Sequence, residues 1–315
     1  MNGTLAVTGG TGLVGGAVID AAGKRGWTVR ALARSPDKMQ SRAASLQIVK
    51  GDLANGEALD ALCAGADAVV HCAGLTFARD DADYERVNVA GARAVARAAA
   101  TAARFVHISS LSARAPELSP YAASKRASED AVAAARAGAG AICLRLPAIY
   151  GPGDLPTLPY FKLVRAGWAL EPAAKPSGRA SILYVDDAAD AVLTAADPAF
   201  ADRVPAGVYD VGDDREDGRS WAEIGETLGA VFGRAPRRVP LPRPLVALRN
   251  SGAMAVARLK GDAPTARTGQ TAEFFHPDWV ARENLFAAAA NWAPARDLRA
   301  GFEKTVQWYQ DNGYL

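Results

Sequence analysis

The segment Thr4-Leu5-Ala6-Val7-Thr8-Gly9-Gly10-Thr11-Gly12-Leu13-Val14-Gly15 limits the fold more than any other stretch of this chain. A short apolar run stops at Thr8, glycines recur at positions 9, 12 and 15, and a helical pattern opens through Ala17, Val18 and Ile19. The order is strand, tight turn, helix N-terminus. Gly9 suits the sharp turn because it has no Cβ to clash at unusual φ. Gly12 lets the backbone approach a ligand, and Gly15 lets the helix lie close to the strand. Unpaired N–H groups and the dipole at the helix start favour an anion, so the segment reads as a cradle for a dinucleotide pyrophosphate. Gly9, Thr11, Gly12, Leu13 and Val14 are its expected contacts. A bare glycine turn is the plainer alternative, and the flanking strand and helix argue against it.

Further apolar runs at 28–33, 46–49, 68–71, 105–108 and 141–146 alternate with helical patterns near 14–25, 56–63, 84–103 and 120–137. Buried strands alternating with helices predict an α/β fold, a Rossmann-type doubly wound parallel sheet with the nucleotide at the strands' carboxyl ends. With 315 residues, half of them hydrophobic, the chain is long enough for a second lobe. The texture changes at Gly151, where Pro152, Pro156, Pro159 and Pro172 punctuate a loop-rich region. Strand-like 181–185 and 208–211 and helical 187–197, 220–232 and 298–309 follow. Residues 1–150 are expected to form the dinucleotide lobe and 151–315 a smaller C-terminal substrate lobe, with segments returning to the first.

A net charge of +2 gives no strong field, so nucleic acid is not an expected partner. Cys63, Cys72 and Cys143 are scattered, with no CxxC and no histidine cluster, so neither a disulfide framework nor a metal site is expected. A strand beginning near residue 4 leaves no room for a signal peptide, and no apolar run is long enough to span a membrane; a cytoplasmic protein is the expectation. The apolar stretch 245–259 carries Arg249 and Arg258 and reads as a packed amphipathic helix, with contact to a membrane or partner as the minor alternative.

A second constellation lies at 104–125. A strand ends in Ser109-Ser110, and Tyr121 and Lys125 follow one helical turn apart, on a helix that Pro120 can start and Ser119 can cap. The Tyr-Lys pair would project beside the strand end where a nicotinamide should lie. A free phenol has a pKa of about 10. A nearby ammonium would favour its ionised form and let Tyr121 exchange a proton with an alcohol or carbonyl. Alone, Tyr-x-x-x-Lys recurs by chance on many helices; joined to the glycine turn and the double serine it becomes specific.

On these residues the chain resembles the short-chain dehydrogenases/reductases, in their extended NAD-dependent epimerase/dehydratase branch, over essentially its whole length and most strongly over residues 4–190. The glycine turn fits that branch's Gly-x-x-Gly-x-x-Gly pattern. Gly51-Asp52-Leu53, His71-Cys72-Ala73-Gly74, Asn88-Val89-Ala90-Gly91 and Arg145-Leu146-Pro147-Ala148-Ile149-Tyr150-Gly151-Pro152-Gly153-Asp154 resemble further family segments, as do Arg179 and Val185-Asp186-Asp187. The resemblance implies Tyr121 as acid/base, Lys125 as its partner and holder of the nicotinamide ribose, and Ser110 as polarising hydroxyl, with Ser109 and Ser112 as rivals. It implies cofactor contacts from Asp52, Leu53, Cys72, Ala73, Gly74, Asn88, Lys125, Pro147 and Ile149. Substrate contacts are expected from Thr76, Ser110, Tyr150 and Arg179. Only eleven positions separate Ser110 from Tyr121, where many relatives carry a longer insertion over the substrate. That shortening removes one wall from any pocket inferred from the family.

The second strand ends Arg34-Ser35, with no carboxylate before Asp37 to bind a ribose 2′-hydroxyl. Arg34, helped by Ser35 and Lys38, suits a 2′-phosphate, so NADP(H) is preferred and NAD(H) is the alternative. Ala148 stands where nucleotide-sugar enzymes of the branch commonly carry asparagine. The segment is more similar to the dihydroflavonol reductase and 3β-hydroxysteroid dehydrogenase groups. Leu75, Phe77, Tyr150, Leu155, Phe161 and Trp168 could line an apolar pocket, although ordinary core packing accounts for most of them. Arg79 and Arg179 could meet an anionic group or form ion pairs. The leading expectation is an NADP(H)-dependent oxidoreductase acting on a ketone or secondary alcohol, as a monomer or homodimer. A nucleotide-sugar epimerase or dehydratase with retained NAD, and a non-catalytic NADP(H)-binding assembly or regulatory protein, are the rivals.

Overall fold

The computed structural model describes residues 3–39, 46–174, 177–260 and 266–315. Its main sheet has seven strands, all parallel: β1 (Thr4–Thr8), β2 (Thr28–Ala33), β3 (Leu46–Lys50), β4 (Ala68–His71), β5 (Arg104–Ser110), β6 (Ile142–Leu146) and an edge strand, Gly207–Asp210. Across the sheet the order is Gly207–Asp210, β6, β5, β4, β1, β2, β3. The order reverses between β1 and β4, and that switch point is where a doubly wound sheet opens a crevice for a ligand.

Strand alternation builds both faces. Leu5 and Val7 of β1 join a core with Val18 and Ile19 of helix Leu13–Lys24 and with Ala188 and Val192 of helix Val185–Ala196. Ala6 points the other way, into a core with Leu59, Leu62, Val95 and Val132 from helices Gly56–Cys63, Gly91–Ala98 and Pro120–Ala135. The helix expected near 84–103 is broken into an α-helical turn Asp81–Tyr84, a π-helical stretch Glu85–Ala90 and the helix Gly91–Ala98. The apolar run 208–211, which follows the change of texture at Gly151, completes the main sheet beside β6.

A third cluster lies over the carboxyl side of the sheet. Phe161, Tyr150, Phe302 and Tyr309 stack edge to face, with Ile224 and Leu228 beneath. Capping accounts for the local starts: Ser220 and Glu223 form a capping box on helix Trp221–Val231, and Asp297 caps helix Leu298–Asp311. Two short strands gave no clear signal in the sequence, Trp168–Pro172 and Arg237–Leu241, which pair in parallel.

Under the sheet's carboxyl end, His71 and His107 stack with ring centroids 5.3 Å apart. His71 Nδ1 meets Thr8 Oγ1 at 2.7 Å, and His107 Nε2 meets Ser128 Oγ at 2.9 Å. Burial, with the Lys125 charge nearby, pushes the His71 pKa down to about 3. The unfolded chain, with a histidine pKa of about 6.5, therefore binds a proton that the native state refuses. Stability supported by neutral His71 is complete above about pH 6.5 and is lost as pH falls from there toward 3. Urea unfolding at pH 7 and pH 4.5 is expected to show a steeper loss in wild type than in His71→Asn, by about 2 kcal/mol. Equal losses would mean that His71 does not carry this dependence.

Candidate active site

Gly9 has φ +75°, and a Cβ there would come within 2.6 Å of Ala73 N, on the segment that leaves β4. A Cβ on Gly15 would collide with the Gly9 carbonyl. Gly12 N donates to Gly9 O at 2.9 Å, and Gly12 caps helix Leu13–Lys24 without any side-chain acceptor. The first N–H groups of that helix are therefore left for an external anion. Thr11, Gly12 and Leu13 also line a cleft of about 460 Å³ with Pro152, Gly153 and Trp308. Arg34 and Ser35 are exposed just past β2. The side chain of Lys38 lies outside the described set.

Past β3, on the same side of the switch as Arg34, Asp52 is exposed, its carboxylate accepting from Ala54 N at 2.9 Å. Leu53 packs against Gly91. Cys72 is half-buried, and Gly74 is exposed in front of Lys125, where a Cβ would lie 4.0 Å from Nζ. Asn88 is buried in the π-helical stretch and all its bonds are internal: its amide oxygen accepts from Leu75 N at 2.7 Å, and its amide nitrogen donates to Leu75 O at 3.0 Å and Ser124 Oγ at 2.9 Å. It positions the 73–76 loop rather than presenting a free amide. Pro147 is buried and Ile149 half-buried at the exit of β6. A bare N-cap, a bare glycine before a buried lysine and an exposed arginine at the end of β2 together fit a nicotinamide dinucleotide.

Ser119 starts the helix Pro120–Ala135, its hydroxyl accepting from Ala122 N at 3.0 Å, with Pro120 at the first helical position. Tyr121 thus stands at the helix start and meets the Ser110 hydroxyl at the end of β5. Ser112 N donates to Ser110 Oγ at 3.2 Å. Ser109 turns instead into the core: its hydroxyl donates to Glu129 at 2.5 Å, and Glu129 is clamped at 2.9 and 2.8 Å by Arg145. Of the serines, Ser110 is the one brought to Tyr121. Lys125 Nζ donates to Ile108 O at 2.6 Å, and burial, partly offset by Glu129, pulls its pKa down to about 8.

The cation that bears on the phenol is Arg267, a residue with no motif to announce it. Its guanidinium lies 4.4 Å from the Tyr121 ring centroid and 5.7 Å from that of Phe77, and it pairs with Glu273. Glu273 in turn accepts from the Ser119 hydroxyl, so this segment clasps the start of the tyrosine helix. Gly269, at φ +80°, permits the approach, since a Cβ there would run into the Leu118 carbonyl. Burial pushes the Tyr121 phenol up; Arg267 and the Ser110 contact pull it back, and Glu273 adds a smaller upward push. The Tyr121 phenol is therefore protonated at neutral pH, where Lys125 alone would favour the phenolate. Arg267, Tyr84 and Ala78 line a cleft of about 440 Å³ with Arg79, Met254, Ala257 and Arg258.

Two expected substrate contacts are spent elsewhere. Tyr150 is buried against Tyr184 and Phe302, and its hydroxyl reaches Leu298 O at 3.4 Å, because its strand turns the ring into the third core. Arg179 donates to Asp217 O and Gly218 O at 2.7 and 2.9 Å and pairs with Glu223, so it pins a loop. Phe161 is core, while Leu155 and Trp168 are exposed, the latter with Arg237 over its ring. Thr76 stays exposed near the cleft, its carbonyl accepting from Tyr84. Cys63, Cys72 and Cys143 are free thiols, and no group of metal ligands assembles among the described residues.

Residues 5–212 match the model of the NAD dependent epimerase/dehydratase family. The chain belongs to that family. It is an enzyme of the family's NAD-dependent, short-chain dehydrogenase/reductase type. A ceramide reductase of Caulobacter vibrioides is 39% identical over 99% of this chain and 96% of that protein. A 4-hydroxy-2-methyl-3-oxo-4-farnesyl-3,4-dihydroquinoline-1-oxide ketoreductase of Stigmatella aurantiaca is 42% identical, over 33% of this chain and 32% of its own. Among solved structures, MoeE5 in complex with UDP-glucose and NAD superposes with TM-score 0.74 at 22% identity, covering 98% of this chain and 99% of the other. The UDP-glucuronic acid 4-epimerase of Bacillus cereus in complex with NAD gives 0.71 at 17%, covering 99% and 100%. These family members share the fold seen here.

Proposed function

We propose that this protein is an NADP(H)-dependent reductase of a ketone on a long-chain lipid of the ceramide class. The observation that carries the reading is Tyr121, a half-buried phenol kept protonated, in contact with Ser110 and under the guanidinium of the cleft residue Arg267. The end-to-end likeness to a ceramide reductase supports the substrate class. A nicotinamide dinucleotide held at this site would supply the hydride. Ser110 Oγ and the Tyr121 hydroxyl donate hydrogen bonds to the ketone oxygen, and Tyr121 passes its proton to that oxygen as the alcohol forms. Lys125, behind bare Gly74, would hold the nicotinamide ribose, the start of helix Leu13–Lys24 would take the pyrophosphate, and Arg34 with Ser35 would hold a 2′-phosphate. A nucleotide-sugar epimerase with retained NAD is the rival; exposed Ala148 offers it no amide and Arg34 no carboxylate.

Turnover of a 3-keto, N-acylated long-chain amino alcohol with NADPH tests the reading directly. Tyr121→Phe is expected to lower kcat at least 100-fold while leaving NADPH binding intact. Unchanged kcat would overturn the mechanism, and turnover of a UDP-sugar in its place would establish the rival.

Arg34→Ala is expected to weaken NADPH binding by tenfold or more in calorimetric titration, with NADH binding unchanged. A matching loss for both nucleotides would place Arg34 away from the 2′ position.

Tyr121 must be protonated to reduce a ketone, so reductase activity falls as pH rises through its pKa. Arg267 lowers that pKa against burial and Glu273. Arg267→Met is therefore expected to move the alkaline limb of kcat/KM to higher pH. A limb that stays in place would show that Arg267 acts on Tyr121 only through packing.

A further inference from the structure

Helix Arg243–Lys260 has two opposite faces, one packed on the protein and the other exposed yet apolar. Val246, Asn250 and Ala257 are buried against the protein. Leu245, Leu248, Gly252, Ala255, Val256 and Leu259 recur with helical spacing on the other side, all exposed; Leu248 is 71% and Leu259 88% exposed. These two leucines are more exposed than any other large apolar side chain in the described chain. Arg249 and Lys260 flank this stripe on one side and Arg258 on the other, Arg243 stands at its start, and the helix holds no acidic residue. Helix faces that await a protein core are not edged with cations alone.

We propose that this helix lies flat on the surface of an anionic phospholipid bilayer, its leucine stripe in the headgroup boundary and its cations against phosphates. An apolar stripe flanked by arginine and lysine is the pattern of an interfacial helix. No helix among the described residues is long and apolar enough to cross a membrane, which fits a helix that lies on the surface. A second copy of this chain is the poorer occupant: pairing two such helices would bring cations against cations with no acid on either. The position adds a use. Met254, Ala257 and Arg258 of this helix form one wall of the 440 Å³ cleft whose other wall carries Arg267, which lies over Tyr121. A helix seated on a leaflet sets that cleft beside the lipid phase, so a long-chain substrate enters without crossing water. This delivery role rests on the lipid-ketone reading above; the docking does not.

The test is vesicle flotation of the full chain, without substrate or cofactor, on vesicles of phosphatidylglycerol with phosphatidylcholine and on phosphatidylcholine alone. Wild type is expected to float with the anionic vesicles at least tenfold more than with the neutral ones. Leu248→Ser with Leu259→Ser is expected to cut that binding at least tenfold with no change in melting temperature, since both side chains are exposed. Lack of vesicle binding by wild type, or equal binding by the double variant, overturns the proposal. So does a wild-type dimer in analytical ultracentrifugation that the double variant turns into a monomer, which would assign the face to a second copy. Delivery is read separately, by turnover of a vesicle-borne keto lipid and of a short-chain, water-soluble keto analogue. The double variant is expected to lose tenfold on the first and nothing on the second; equal rates on both overturn delivery. Vesicle binding by a wild type that reduces neither ketone upholds the docking and removes the reductase reading instead.

Discussion

Everything at this site depends on how closely two strand ends can meet. The turn after β1 and the segment after β4 approach until no side chain fits between Gly9 and Ala73. That contact brings the start of helix Leu13–Lys24 to the point where the strand order reverses. The helix dipole, the bare N-cap and the crevice then coincide without further design. A single Cβ at Gly9 would separate the strand ends, and every element hung on them would move with it.

The second organising force is desolvation. Lys125, His71 and His107 lie in the same dry region, and burial pushes each of them toward its neutral form. The Tyr121 phenol is likewise kept neutral, but next to a guanidinium that limits the shift. The site thus separates two roles. The two histidines deeper in the sheet stay uncharged, while the Tyr121 phenol has its proton affinity lowered against burial by a cation from far along the chain. Glu129, gripped by Arg145 and Ser109, anchors the helix one turn past Lys125 and two past Tyr121.

Much of this was legible in the sequence because local physics determined it. Glycine spacing showed the turn, apolar alternation showed six of the strands, and Ser119-Pro120 showed where the tyrosine helix begins. Long-range placement was not legible. The run 208–211 looks the same whether it edges the main sheet or pairs elsewhere. Tyr150 sits in a family-like segment, yet its ring is drawn into an aromatic cluster with Phe302 from the far end of the chain. Arg179 carries the charge for an anion but finds loop carbonyls first. Arg267 left no signal at all: a lone arginine in a polar stretch has no periodicity, and only folding sets it over a phenol. The helix at 245–259 was visible, but not which of its faces would be covered.

The clasp between Glu273 and Ser119 also has a consequence for the order in which the protein is made. Residues 119 and 273 are 154 positions apart. When the first six strands have left the ribosome, the glycine cradle can already form, because all its parts precede residue 110. The edge strand and the clasp have yet to be synthesised. The glycine turn and the segment it meets are thus synthesised early, and the arginine and carboxylate that surround Tyr121 are synthesised late.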